Sequence, residues 1–234
     1  MERYNMNMNM NHRTYTEIAT PRAKRQLQGL LDSISAPTIY RESMIELGKL
    51  LAEAVLPSLG NESTLIVSTA EDADYLQFGV SSLLKSQGID TKLAVFWNHH
   101  YQLSNSSSVA PIVHKFIETG YKSVDNIIVV KSVMSGSCVV RTNLIEMLDE
   151  VKKVNNVFIL SPVAHTHSEE KLKKEFPEYI SDKFKFFCFA VDDKRDVSGE
   201  VVPGIGGQIY DLLGLSTQPI LNSYMPKVVE DLVF

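Results

Sequence analysis

The chain has 234 residues, 44% of them apolar, and a formal net charge of −5. That length suits one α/β domain with a full core, and the acidic balance argues against a nucleic-acid surface. No stretch reaches the ~18 apolar residues of a membrane span, and Cys138 and Cys188, far apart in apolar or small-residue settings, fit a reduced, cytoplasmic protein.

The N-terminus alternates Met6, Met8 and Met10 with Asn5, Asn7, Asn9 and Asn11, without the apolar segment or cleavage pattern of a signal peptide. Residues 1–19 are expected to be a flexible segment and 20–234 a single domain. From Ala23 the pattern turns helical, with Leu27, Leu30 and Leu31 on one face until Ala36-Pro37-Thr38 interrupts it. A second helix, Thr38 to Leu56, carries Met44, Leu47, Leu51 and Val55 on one stripe and is closed by Pro57 and Gly60. The basic clusters Arg22, Lys24 and Arg25, and Lys171, Lys173 and Lys174, read as solvated helix faces.

Strand and helix then alternate. The spacing predicts strands at Thr64–Ser68, Lys92–Phe96, Asn126–Val130, Asn156–Leu160 and Lys185–Ala190, with helices at Ala73–Ser86, Val109–Thr119, Val139–Val154 and Ser168–Phe176. Short apolar strands separated by helices imply an α/β fold with a mainly parallel five-stranded sheet flanked by helices. Ligands bind such sheets beyond the carboxyl ends of the strands, so the loops opening at Thr69, Trp97, Lys131, Ser161 and Val191 are the places to look. Ser104–Ser108, a small polar patch, reads as a flap over a site or as a plain surface connection.

The most informative stretch is Ile127-Ile128-Val129-Val130-Lys131-Ser132-Val133-Met134-Ser135-Gly136-Ser137-Cys138. A buried strand ends in a small-residue loop and a helix follows, the arrangement that presents backbone N–H groups to a phosphate. Lys131, Ser135, Gly136 and Ser137 are therefore the phosphate-loop candidates. Cys138 opens the helix, as a thiolate favoured by the helix end or as a small buried residue.

From Thr20 to Leu215 the order of these pieces resembles the type I phosphoribosyltransferases, the uracil phosphoribosyltransferases in particular. Arg41-Glu42-Ser43-Met44-Ile45-Glu46-Leu47-Gly48-Lys49-Leu50-Leu51 is similar to that family's N-terminal helix. Val191-Asp192-Asp193, continuing through Ser198-Gly199-Glu200-Val201-Val202-Pro203-Gly204-Ile205-Gly206, resembles the segment shaping its base pocket, which makes Val202, Gly204 and Gly206 base-pocket candidates. The resemblance implies a type I phosphoribosyltransferase-like fold, with the N-terminal helices and the segment after Val191 forming a cap over the carboxyl ends. It also implies a homo-oligomer, with the Arg41–Val55 helix and the Trp97–Tyr101 loop as contact candidates.

The charged residues that the family's chemistry uses are replaced. Where the resemblance implies an arginine for the diphosphate, this chain has Glu71, Asp72 and Asp74, a degenerate diphosphate loop that also reads as ordinary helix capping. Phe96-Trp97-Asn98-His99-His100-Tyr101 stands where a basic element is implied, as a ligand platform or a surface turn. Lys131 stands where an acid should accept the ribose hydroxyls, and a lysine only donates. It is expected to pair with a phosphate or with Glu71, Asp72 or Asp74, filling the vacated diphosphate site. Gly207 replaces an acid after the base-pocket glycines. His165-Thr166-His167, with His99 and His100, fits either a metal site or a surface.

Two readings follow. One is a catalytically degenerate uracil phosphoribosyltransferase-like protein acting as a regulatory, scaffolding or nucleotide-sensing subunit, with a nucleotide ligand and a protein partner. The other is a divergent pyrimidine-salvage transferase making UMP and diphosphate from uracil and phosphoribosyl diphosphate. No cofactor is expected, Mg2+ entering only with retained activity.

Overall fold

The computed structural model describes residues 12–102 and 108–234. The main strands of its large sheet, in chain order, are β1 (Arg13–Tyr15), β2 (Thr64–Thr69), β3 (Thr91–Asn98), β4 (Ile112–Ile117), β5 (Asn126–Val130), β6 (Asn156–His165) and β7 (Phe184–Asp192), with the short Val133–Met134 also paired to β6. They lie in the order β1-β7-β6-β5-β2-β3-β4. The five central strands, β7 to β3, run parallel, while β1 and β4 close the edges antiparallel. Parallel strands covered on both sides need apolar residues at nearly every position, and β2 and β5 are buried throughout.

Strand side chains alternate between faces, so each strand feeds two cores. Ile66, Ile128, Phe158 and Leu160 face the helices α1 (Pro21–Asp32) and α2 (Pro37–Leu59). Leu65, Val67, Ile127, Val129 and Ile159 face α4 (Cys138–Glu150) and α5 (Ser168–Lys174). Between β2 and β3 the chain passes through Ala70–Asp72, a π-helical turn at Ala73–Gln77, and α3 (Phe78–Ser86). A last helix, α6 (Lys227–Val233), packs Val229 near Leu93 and Trp97.

Local chemistry sets the helix starts. Thr20 caps α1, its hydroxyl accepting from the Ala23 N–H at 3.2 Å, and Pro37 sits in the first turn of α2, where its missing N–H is not needed. Pro57 lies inside the last turn of α2 rather than ending it, on an exposed side of the helix. Helices α2 and α3 approach so closely that a Cβ on Gly48 would stand 2.1 Å from the Leu76 carbonyl oxygen, and one on Gly79 2.1 Å from that of Ile45.

All five expected parallel strands form, and three expectations are corrected. Val109–Thr119 is not a helix: Ile112–Ile117 pairs with β3 as an edge strand, because its β-branched and aromatic residues complete the ladder that β3 leaves open. Strand β6 runs on through Ser161 to His165, paired with β7 along its length, so no loop opens at Ser161. Arg13–Tyr15, inside the segment expected to be flexible, is an edge strand on β7. The Met- and Asn-bearing residues 5–11, and 104–107 of the small polar patch, lie outside the described residues.

The cap over the carboxyl ends comes from the segment after β7 and the N-terminal end of α2. The Tyr40 hydroxyl donates to the Ile205 carbonyl at 2.9 Å and Arg41 Nε to that of Leu213 at 3.0 Å. The rest of α2 lies along the sheet face with its apolar stripe buried. That stripe is therefore not free for a second copy.

Candidate functional site

Strands β2 and β5 are neighbours, so the loops that follow them meet. There Lys131 Nζ donates to Asp72 Oδ2 at 2.6 Å and lies 3.4 Å from Glu71 Oε1. The side chains are 12%, 1% and 9% exposed respectively. Asp72 Oδ2 also accepts from the Thr69 hydroxyl at 3.1 Å and the Ser132 N–H at 3.3 Å. The lysine therefore takes the internal pairing, with Asp72 and Glu71 as partners.

Asp74 is elsewhere. It accepts from the Tyr224 hydroxyl at 2.6 Å and from the N–H groups of Lys227 and Val228 at 2.9 Å, tying the start of α6 to the π-helical turn. It thus caps a distant helix and not the start of its own, which has no side-chain cap.

Burial works against the Lys131 ammonium, but the carboxylates of Asp72 and Glu71 outweigh it and raise its pKa above the usual lysine range. Burial likewise raises Glu71, only partly offset by Lys131. The site thus holds a fixed cation, engaged by its own acids. Burial also raises the Tyr210 hydroxyl, with Glu71 adding to the effect.

On the adjoining loop, Arg195 reaches Ser135. Its Nη1 donates to the Ser135 hydroxyl at 2.5 Å, and its Nη2 donates to the Ser135 carbonyl. Arg195 lies in a two-stranded hairpin, Lys194–Arg195 against Val201–Val202, directly beyond β7. Ser137 is buried and Gly136 exposed at the start of α4, whose first turn holds no acidic residue. A guanidinium beside the amino end of a 13-residue helix is an electropositive corner. Sequence reasoning passed over Arg195, although a basic pair just past a strand's carboxyl end was a readable signal.

The base-pocket candidates serve internal packing. Arg13 and Asp192 form a buried two-pronged pair, Nε to Oδ1 at 2.8 Å and Nη2 to Oδ2 at 2.7 Å, and both hold Gly204 through its carbonyl and N–H. A Cβ on Gly204 would stand 2.2 Å from the Val201 carbonyl oxygen, and one on Gly206 would stand 2.7 Å from Ile34. Val202 is half-buried, at the cis bond to Pro203. These glycines approach the protein's own backbone and α1.

The aromatic and histidine loop is likewise occupied. Trp97 Nε1 donates to the Tyr224 carbonyl at 2.8 Å, and Asn98 exchanges amide hydrogen bonds with Asn143. His165 and His167 lie with ring centres 5.5 Å apart. Among the described residues no three His, Cys, Asp or Glu side chains are grouped to hold a metal ion. Burial raises the Cys138 thiol, so of its two readings the thiolate is the one disfavoured.

No protein family matches the chain at the level of sequence, and no curated protein does. Among solved structures it is similar to a hypothetical protein from Neisseria gonorrhoeae with bound ppGpp, at 12% identity and a TM-score of 0.40, over 75% of this chain and 93% of that one. It is similar also to a hypoxanthine phosphoribosyltransferase from Staphylococcus aureus, at 9% identity and TM-score 0.38, over 53% of this chain and 65% of that one. For the adenine phosphoribosyltransferase from Thermoanaerobacter pseudethanolicus the values are 13%, 0.39, 62% and 83%. At these identities and scores nothing about substrate, ligand or activity follows. Among the described residues no helix is long and apolar enough to cross a membrane.

Proposed function

We propose that the chain is a phosphoribosyltransferase-like protein without uracil-transferring activity, serving as a regulatory subunit that senses a nucleotide. The observation that carries this reading is the Lys131–Asp72–Glu71 cluster. A diphosphate entering between the two loops meets carboxylates instead of a free guanidinium. Freeing Lys131 for it would strand Asp72 without its cation in a dry site, a loss of about 3–5 kcal/mol. Ribose hydroxyls find a donor where they need an acceptor.

What remains at the edge favours a single phosphate. Ser135, Gly136 and Ser137 lead into α4, and Arg195 already lies on Ser135. A nucleotide phosphate there would exchange the Ser135 contacts of Arg195 for charge-assisted ones. Isothermal titration with UMP, UTP and GTP, alongside phosphoribosyl diphosphate with Mg2+, tests the reading. The expected outcome is saturable binding of a nucleotide, weakened at least tenfold by Arg195→Ala, with no binding of phosphoribosyl diphosphate. Tight binding of the diphosphate with Mg2+ would instead favour the divergent transferase.

A further inference from the structure

Arg195 owes its position to a hairpin, and that hairpin is pinched at its base by a residue far away in sequence. Lys194–Arg195 pairs with Val201–Val202; Asp192 lies just before this ladder and Gly204 just after it. The Asp192 carboxylate accepts from the Gly204 N–H at 2.8 Å, which closes the base. Arg13 of β1 bridges the same two residues. Its fork meets Asp192 at 2.8 and 2.7 Å, and its Nη2 also donates to the Gly204 carbonyl at 2.5 Å. The Arg13 and Asp192 side chains are 1% and 0% exposed. Beside them the Asp193 N–H donates to the His12 carbonyl at 3.1 Å, and the Asp193 carboxylate lies 2.9 Å from His12 Nδ1.

Other ties of the hairpin are exposed. Arg195 donates to Ser135, and Gln208 Nε2 donates to Glu200 Oε1 at 2.7 Å. Water competes for such bonds, so each contributes modestly. A buried two-pronged charge pair fixes geometry more firmly and is costly to break. Yet β1, which supplies Arg13, is a three-residue edge strand paired to β7. Elements with few neighbours open at the low end of local stability. The firmest clamp on the hairpin is thus carried by an element that can come away without opening the central parallel strands.

We propose that β1 is a strap that sets the reach of Arg195. Docked on β7, it holds the hairpin with the guanidinium on Ser135. Released, it frees the hairpin, and the corner at the start of α4 loses its cation. In its consequence for a nucleotide this rests on the function proposed above; in its mechanics it does not.

Arg13→Met combined with Asp192→Asn, in the full chain, removes both buried charges and leaves an acceptor for the Gly204 N–H. Hydrogen exchange followed by NMR is expected to show the Asp196 and Gly204 N–H groups exchanging at least tenfold faster than in the wild type, with those of Ile66 and Val129 unchanged. If that variant fails to fold, Arg13→Lys carries the same comparison, since it keeps the charge and loses the fork. Unchanged exchange at Asp196 and Gly204 overturns the proposal. So does an equal acceleration at Ile66 and Val129, which would make the pair a support of the whole fold alone. Titration with UMP, UTP and GTP is the second readout. For a nucleotide that the wild type binds, the pair variant should weaken binding at least tenfold, and adding Arg195→Ala should weaken it little further, because Arg13 acts through Arg195. Losses that add in full would refute that route. A wild type that binds none of the three refutes the nucleotide reading, while the exchange comparison still decides the strap.

Discussion

Lys131 is the residue on which the site turns. Its ammonium is held between two carboxylates with almost no access to water, and Asp72 Oδ2 receives two further hydrogen bonds. Removing the cation should cost far more than a surface pair is worth. Lys131→Met is expected to lower unfolding stability at neutral pH by about 3–5 kcal/mol in chemical denaturation. Lys131→Met combined with Asp72→Asn should recover most of that loss. A single variant within about 1 kcal/mol of wild type would contradict the pairing. Glu71 supplies a pH signature. Its folded pKa is raised above the ordinary 4.5, so the folded state binds this proton more tightly than the unfolded chain does. The stabilisation is complete below the unfolded value and is lost as pH rises through the folded one. Relative to Glu71→Gln, the wild type should therefore lose stability as pH climbs from 4.5 toward neutrality. A difference that stays level over that range, measured by thermal melts, would show that Glu71 titrates normally.

Among the elements, the α2–α3 contact has the least tolerance. Gly48 and Gly79 let the two backbones touch, and a methyl group on either would meet a carbonyl oxygen at 2.1 Å. Overpacking of this kind costs ~1–3 kcal/mol or more, whereas Ala for Gly in an unconstrained helix gains up to ~1 kcal/mol. Gly48→Ala is thus expected to destabilise despite its better helix propensity. Calorimetry showing an unchanged or higher Tm would contradict the close approach. The five parallel strands were legible because each is a short apolar run bounded by turn residues. The edge strand at Ile112–Ile117 was not, since an exposed edge carries no buried alternation and its identity comes from the β3 ladder beside it. The Arg13–Asp192 pair escaped for another reason: its partners are 179 positions apart, and only the antiparallel docking of β1 on β7 joins them. The Lys131 pairing was within reach because both loops follow strands expected to share one carboxyl edge.

At the scale of the whole molecule, the parallel sheet gathers its loops at one edge, where the Lys131 ammonium is engaged by Asp72 and Glu71; the proposed function takes that pair to fill a diphosphate position from within. Self-association is a proposal of the same reading. Because the stripe of α2 is spent in the core, an interface would have to use other surfaces. Light scattering is expected to give a mass above the 26.2 kDa monomer, and a constant monomer mass over a wide concentration range would refute it. The central claim, that the chain keeps the fold without the transfer reaction, meets its most direct test in one assay. Pure protein is incubated with uracil, phosphoribosyl diphosphate and Mg2+, and UMP is measured over time. Several lost or inverted contacts, each tenfold in rate per ~1.4 kcal/mol, predict UMP formation indistinguishable from the protein-free control. Turnover above that control, scaling with protein concentration and abolished by Lys131→Met, would contradict the account and make Lys131 a working residue of an active transferase.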